Sequence, residues 1–190
     1  MTVTENTIST PDTGALLERI DELEKRLSYL EASEEDDKVS IVVFSGDLDR
    51  VLAGFVIATG AAGMGMQVDM FFTFWGLTAL KKSTDLSDKS LFQKAMGMMT
   101  PASSEGLPVS RMNYFGAGAK MLRAMMKQQN VQSLEEFIQL ARDLGVTFIS
   151  CEMSQNVMGI RDEELIDDIE HGGVATFLAS ALQSRSSFFI

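Results

Sequence analysis

The single cysteine of the chain, Cys151, stands where a reactive thiol is expected. It follows the apolar run 146–150, typical of a buried strand, and precedes 152–159, which predicts a short helix closed by Gly159. A thiol at a helix start lies near free backbone N–H groups and the positive end of the helix dipole, which favour the nucleophilic thiolate. The alternative is a buried, inert cysteine that packs as a small hydrophobic residue.

Composition narrows the class of protein. The 190 residues, 45% of them hydrophobic, predict one globular domain with an appendage. With one cysteine the chain cannot form an internal disulfide, and its start lacks the pattern of a signal peptide, so we expect a cytoplasmic protein. The net charge of −11 argues against a nucleic acid as partner, because binding phosphates requires clustered Lys and Arg.

The N-terminal segment 1–37 predicts a helix, with a plausible start at 11–13, followed by an acidic linker. Its apolar residues recur at the a and d spacing of a coiled coil, at Leu16, Ile20, Leu23, Leu27 and Leu30. Two heptads are short for a free coiled coil, so the stripe either pairs with another copy or docks on the main domain.

Segment 38–190 alternates between strand and helix patterns. Strands are predicted at 39–44, 68–74, 146–150 and 187–190, and helices at 50–64, 134–144, 162–169 and 174–183. This alternation predicts an α/β fold, a three-layer α/β/α sandwich with a mainly parallel sheet of about five strands. Residues 51–68 carry no charge, but their glycines favour a buried helix and strand over a membrane span. Such a helix needs cover from the insert or from another subunit.

An insert at about 77–128 is too long for an ordinary connection. It holds seven of the thirteen methionines, and residues 81–127 carry eight basic and three acidic side chains, a net charge of +5. Methionine adapts to varied surfaces, so the insert is expected to form a subunit contact, bind a partner or touch a membrane surface. We also expect residues 91–127 to cover the mouth of the Cys151 pocket or the adjacent subunit, and so to select the partner that reaches the thiol.

The chain resembles the DsrE/DsrF/TusD sulfur-relay family, in its larger DsrE branch. The resemblance rests on 38–45, 145–151, 152–160, 172–182 and 187–190. It implies an α/β/α sandwich and a homo-oligomer, for which we favour a trimer or larger. It also implies that the cysteine matching Cys151 receives sulfane sulfur from a donor protein, holds it as a persulfide and passes it to an acceptor protein. No cofactor is implied. A two-cysteine peroxidase cycle within one chain would need a second cysteine.

In an open α/β sheet the site lies beyond the carboxyl ends of the strands. One pocket around Cys151 is therefore expected, lined by Ser45, Gly46, Asp47, Trp75, Gly76, Glu152, Met153, Ser154, Asn156, Gly172 and Gly173. The carboxylates of Asp47 and Glu152 would oppose a thiolate by like-charge repulsion.

The only histidine, His171, has no orienting carboxylate that the sequence can place, and the spacing of its acidic neighbours indicates a solvated face rather than a metal site. The competing function is an oligomeric protein that binds a ligand or partner while Cys151 stays inert.

Overall fold

The computed structural model describes residues 13–32, 36–87 and 89–190. The chain separates into two compact units, 1–35 and 36–190. In the first unit, helix α1 spans Thr13–Ala32 and leaves the predicted stripe exposed at Leu16, Ile20, Leu23 and Leu27. The predicted helix start at 11–12, the linker residues 33–35 and the side chain of Leu30 lie outside the described part of the chain. Pairing of this helix remains a prediction.

The second unit is built on a five-stranded parallel sheet of order β4-β3-β2-β1-β5. The strands are β1 Asp36–Val43, β2 Gln67–Phe72, β3 Thr147–Cys151, β4 Glu170–Gly172 and β5 Ser184–Phe189. The helices are α2 Leu48–Gly63, α3 Leu91–Met99, α4 Ala117–Gln128, α5 Leu134–Asp143, α6 Glu152–Met158 and α7 Val174–Ala181. The first strand takes in two residues, 36 and 37, that the sequence assigns to the linker.

Both faces of the sheet are covered by helices. Because strand side chains alternate between faces, Ile41 points into the large core that contains α2, whereas Val42 points to the opposite face. On that second face Phe71 stacks on Phe177 of α7, with ring centroids 5.1 Å apart. The predicted three-layer α/β/α sandwich is confirmed.

Helix α2 is covered mainly by α5 rather than by the insert. It buries Val51 and Phe55 in the core, while Val56 is half exposed. The insert contacts its first turn, where Leu48 N donates to Pro108 O at 2.7 Å. Cover of the exposed face of α2 by another subunit stays a prediction. No helix among the described residues is long and apolar enough to cross a membrane.

Two local predictions had different outcomes. The capping box at the start of α5 is confirmed, since Glu136 N donates to Ser133 Oγ and Ser133 N donates to Glu136 Oε2. The acidic helix predicted at 162–169 was wrong: only 162–164 form a turn of 3-10 helix. The chain then becomes extended, because Leu165 is buried and bridges Lys81 of the insert.

Buried polar groups hold the insert to the domain. Glu164 is 1% exposed and forms a 2.6 Å ion pair with Lys89, itself 5% exposed at its side chain. The same carboxylate accepts the N–H groups of Asp85 and Arg161. By contrast α3, in the middle of the insert, has no buried residue.

Candidate functional site

Cys151 ends β3 and caps the start of α6, as the sequence predicts. It stands opposite Gly172 of β4 in the parallel register. The residue is only 4% exposed and packs in a small apolar cluster with Phe71, Ile149 and Phe177. The thiol therefore lies at the carboxyl edge of the sheet, beneath α7.

The surroundings of the sulfur favour its anionic form. Burial raises the pKa of the Cys151 thiol, but hydrogen bonding from the hydroxyl and N–H of Ser154, the hydroxyl of Thr73 and the N–H of Met153 outweighs it. The net effect is a pKa below the ordinary cysteine value. The side chain of Cys151 makes no capping hydrogen bond with α6. The nearby donors lower the pKa because they stabilise the negative charge of the thiolate.

Thr73 is a neighbour of the Cys151 thiol that the sequence did not reveal. It follows β2 directly, and the register that pairs Phe72 with Ser150 brings it beside Cys151. Its Oγ1 lies 2.8 Å from Ser154 Oγ, and both residues are buried. The sequence signal that could have identified Thr73 is a hydroxyl residue at the carboxyl end of β2, the strand next to β3.

The residues predicted to line one pocket fall into several groups. Ser45, Gly46, Asp47 and Trp75 line a cavity of about 400 Å³ that the insert closes with Met99, Thr100, Pro101 and Pro108. Glu152 and Asn156 line a second cavity of about 580 Å³ together with Gln155, Ile160, Arg161, Asp162, Glu163 and His171. Cys151 lines neither cavity.

The remaining predicted residues have separate positions. Gly76 packs so closely against Val43 that a Cβ there would lie 2.0 Å from the Val43 carbonyl oxygen. Gly173 caps the start of α7, and Met153 is about half exposed. Of the predicted pocket residues, Ser154 and Met153 donate hydrogen bonds that lower the pKa of Cys151. Gly172 is its partner in the pairing of β3 with β4.

The expected repulsion from nearby carboxylates is not among the largest influences on the thiol pKa. The carboxylate of Asp47 has partners close to it in sequence, because Ser45 Oγ donates to it at 3.1 Å and the Arg50 guanidinium lies 3.7 Å away. Glu152 is exposed to solvent. Burial is thus the largest single influence on the thiol pKa, and the hydroxyl and N–H donors together outweigh it.

His171 contacts the face of β3 opposite Cys151. Its Nδ1 lies 2.8 Å from Ser150 Oγ and 3.2 Å from Gln155 Oε1, and Ser150 precedes Cys151 on an alternating strand. Asp162 Oδ1 is 3.5 Å from the same nitrogen, so a carboxylate is present that the sequence did not place. The histidine is thus not positioned as the base for Cys151. Within the described residues no group of three or more His, Cys, Asp or Glu side chains could hold a metal ion.

The parallel three-layer fold and a single cysteine beside hydroxyl and N–H donors at the carboxyl edge of the sheet define a class of α/β proteins. Residues 35–189 match the model of the DsrE/DsrF/DrsH-like family, so the chain belongs to that family. The helix α1 lies outside the match.

Two relatives align along nearly their whole lengths. The uncharacterized protein YrkE of Bacillus subtilis is 38% identical over 159 residues, which cover 83% of this chain and 99% of YrkE. The sulfur carrier protein DsrE2 of Allochromatium vinosum is 32% identical over 160 residues, 82% of this chain and 99% of that protein. The crystal structure of the ychN protein from E. coli aligns with a TM-score of 0.48 at 10% identity, over 80% of this chain and 98% of that chain. Family membership supports a role in sulfur relay.

Proposed function

We propose that this protein is a sulfur carrier that holds sulfane sulfur as a persulfide on Cys151 and passes it to the thiol of an acceptor protein. The observation that carries the proposal is the lowered pKa of a thiol surrounded by the donors of Thr73, Met153 and Ser154. A lowered pKa increases the thiolate fraction at neutral pH, and the thiolate is the form that attacks a sulfane sulfur. The description of the relative DsrE2 as a sulfur carrier protein supports the same role.

The chemistry needs no outside oxidant or reductant. The Cys151 thiolate attacks the terminal sulfur of a donor persulfide or polysulfide, a new S–S bond forms, and the donor leaves as a thiolate with the electron pair of the broken S–S bond. An acceptor thiolate then attacks the terminal sulfur held on Cys151. That second exchange regenerates the Cys151 thiolate, which the same donors stabilise.

Access to the thiol requires a local movement. Cys151 is 4% exposed, and Phe177 of α7 packs in the same cluster. We expect partner binding at this edge to displace α7 or the first turn of α6 far enough to admit a second sulfur. Short elements with few buried contacts are the parts of a fold that open most readily.

The insert has a position suited to partner selection. Gln93 of α3 donates to the carbonyl of Asn156 in α6, and its side chain lies against Gly159. At its other end α3 places Met99 over the cavity beyond β1. The helix therefore runs beside the edge that carries Cys151, where an approaching donor or acceptor protein would meet it.

Assembly is part of the proposal. Large apolar side chains recur every fourth residue at Val174 and Leu178 of α7 and at Leu182 directly after it, and each is at least about half exposed. Contiguous exposed apolar surface on a soluble chain marks an association site. Together with the exposed stripe of α1 it supports a homo-oligomer, for which we favour a trimer or larger. Action in the reducing cytoplasm also remains a prediction.

The competing function is a binding protein in which Cys151 is inert. The apolar packing of the thiol against Ile149 and Phe177 favours that alternative, because it is the environment of a structural cysteine. Two functions thus differ in one property, the ability of Cys151 to exchange sulfur.

A transfer assay distinguishes them. The full chain is loaded with inorganic polysulfide, desalted and mixed with glutathione as a model acceptor, and glutathione persulfide is measured. We expect about one sulfur atom delivered per Cys151 and none from Cys151→Ser. If the polysulfide-treated wild-type chain delivers no sulfur, or if Cys151→Ser delivers as much, the carrier function is rejected. The binding function with an inert Cys151 is then supported.

A further inference from the structure

A second surface, remote in sequence from Cys151, exposes aromatic and methionine side chains. It consists of the turn 112–115 and the outer face of α4, with Met112, Tyr114, Phe115, Met121 and Met125 as its apolar members; we call it the tip surface. Phe115 is fully exposed and the other four are more than half exposed. Between the turn and α4 lies a mostly apolar cavity of about 370 Å³, lined in part by Met112, Met121, Leu122 and Met125.

The backbone of the turn is strained, and contacts with neighbouring residues hold it in this conformation. Met112, Tyr114 and Phe115 all have positive φ angles, between 38° and 57°, which non-glycine residues rarely adopt. Asp49 fixes the base of the turn by accepting the N–H and the hydroxyl of Ser110, at 2.8 and 2.5 Å.

The start of α4 fits closely against the turn. A Cβ at Gly118 would lie 2.1 Å from the Met112 carbonyl oxygen. Strain that the surrounding contacts maintain is typical of functional segments, and here it keeps two aromatic rings in solvent.

The segment that forms the tip surface carries only positive charges, and the nearby carboxylate of Asp49 accepts two hydrogen bonds from Ser110. Residues 106–134 contain four basic side chains and no acidic one, within a chain of net charge −11. Arg123 pairs with Glu135. In the described part of the chain the side chains of Arg111, Lys120 and Lys127 have no ion-pair partner. The tip surface is thus surrounded by three cations that are free to meet an external anion.

We propose that the tip surface binds the interface of a membrane that contains anionic phospholipids. Tyr and Phe side chains insert at the level of the headgroups, and Lys or Arg beside them attract anionic lipids. A protein partner is the competing occupant, because Tyr, Phe, Met and Arg are also enriched at protein interfaces. The lysines beside the tip surface favour the membrane, since the cores of protein interfaces are depleted in lysine. The protein would lie on the membrane without crossing it.

The test uses the full chain and vesicles of phosphatidylcholine, with or without about one third phosphatidylglycerol, in a co-sedimentation assay at low and high salt. We expect binding to the anionic vesicles that weakens with salt. Tyr114→Ser with Phe115→Ser should weaken it about tenfold or more, and Lys120→Gln and Lys127→Gln about fivefold each. The matched control Met64→Ser removes a comparably exposed apolar side chain at the end of α2 and should bind as wild type.

Absence of binding to anionic vesicles at low salt would overturn the proposal. Equal binding by wild type and the Tyr114→Ser/Phe115→Ser variant would also overturn it, because the turn would then not be the contact. If that variant instead reduces the size of the protein in light scattering without vesicles, the tip surface is an interface between protein chains and the membrane proposal fails. None of these three results depends on sulfur transfer by Cys151.

Discussion

Thr73 Oγ1 and Ser154 Oγ lie 2.8 Å apart beside the buried thiol of Cys151, although they come from different segments of the chain. Two hydroxyl groups have two protons, and one of these is used in the bond between them. Only one proton at a time can therefore be donated to the thiolate, either from Ser154 supported by Thr73 or the reverse. The pair acts as a single donor whose strength depends on both members, in addition to the N–H groups at the start of α6.

The first prediction concerns the pKa of Cys151. We expect the rate of alkylation by iodoacetamide to rise with pH with a midpoint below the ordinary value of about 8.5. Ser154→Ala should shift this midpoint upward, because the hydroxyl that contributes most to the lowered pKa is lost, and Thr73→Val should shift it upward less. The control is Thr59→Val, a similar change in α2 whose hydroxyl bonds only within its own helix. An unchanged midpoint in Ser154→Ala would show that the hydroxyl pair does not stabilise the thiolate.

The second prediction concerns the buried ion pair that anchors the insert. Glu164→Gln should lower the free energy of unfolding by about 3–5 kcal/mol, because Lys89 stays buried without a counter-charge. Chemical denaturation in urea measures the change. Asp167→Asn serves as a control, since Asp167 also pairs with a lysine at 2.7 Å but its side chain is 83% exposed, and we expect little effect. Similar losses in both variants would argue against a special role for the buried pair.

The same pair predicts how stability depends on pH. Burial raises the pKa of Glu164, but hydrogen bonds from Lys89, Arg161 and Asp85 and the charge of Lys89 lower it more. A carboxyl with a lowered pKa in the folded state binds its proton more readily when unfolded. Its stabilisation is thus complete above the ordinary value of about 4.3 and is lost as pH falls from there through the lowered pKa. In Glu164→Gln the unfolding free energy should fall less steeply over that acid range.

The third prediction concerns close packing at the carboxyl end of β1. Gly76→Ala should cost about 3 kcal/mol, because the added Cβ would lie 2.0 Å from the Val43 carbonyl oxygen and the turn after β2 must shift. Gly60→Ala offers the opposite control: the position lies in α2 with nothing within 4 Å, so alanine should stabilise by about 0.5–1 kcal/mol. Thermal unfolding should show a lower stability for Gly76→Ala and a higher stability for Gly60→Ala. An unchanged stability of Gly76→Ala would contradict the close packing against Val43.

The fourth prediction concerns assembly. Light scattering should find the full chain larger than a monomer at micromolar concentration, and removal of residues 1–35 should reduce its size while the sheet stays folded. Ile20→Gln with Leu23→Gln should act in the same direction because both lie on the exposed apolar stripe of α1. Glu24→Gln, on the same helix but off the stripe, should not. A monomeric full-length chain would refute the predicted oligomer.

The placement of Cys151 could be predicted from the sequence because the determining signals are local. An apolar run precedes it, a short polar helix follows, and Gly159 ends that helix with a φ angle of 66°. The capping box at Ser133 is equally local. Such patterns fix an element from a few consecutive residues, whatever the rest of the fold does.

Features that depend on distant contacts could not be predicted. The donor Thr73 reaches the thiol only through the register of β2 on β3. The acidic run after residue 161 has a helical composition, yet burial of Glu164 and Leu165 against the insert makes the segment extended. For the same reason the single pocket predicted around Cys151 is divided. Met99 and its neighbours in the insert form a separate cavity with the residues that follow β1.

The most direct test of the central claim is the intact mass of the protein after incubation with inorganic polysulfide and removal of excess reagent. We predict a gain of about 32 Da, one sulfur atom, which reduction with dithiothreitol removes and which peptide mapping places on Cys151. Cys151→Ser should fold normally, because the hydroxyl is nearly isosteric with the thiol and can bond Thr73 and Ser154, and it should show no gain. A mass gain that persists in Cys151→Ser, or no gain in the wild-type chain, would contradict the proposal that Cys151 carries sulfur.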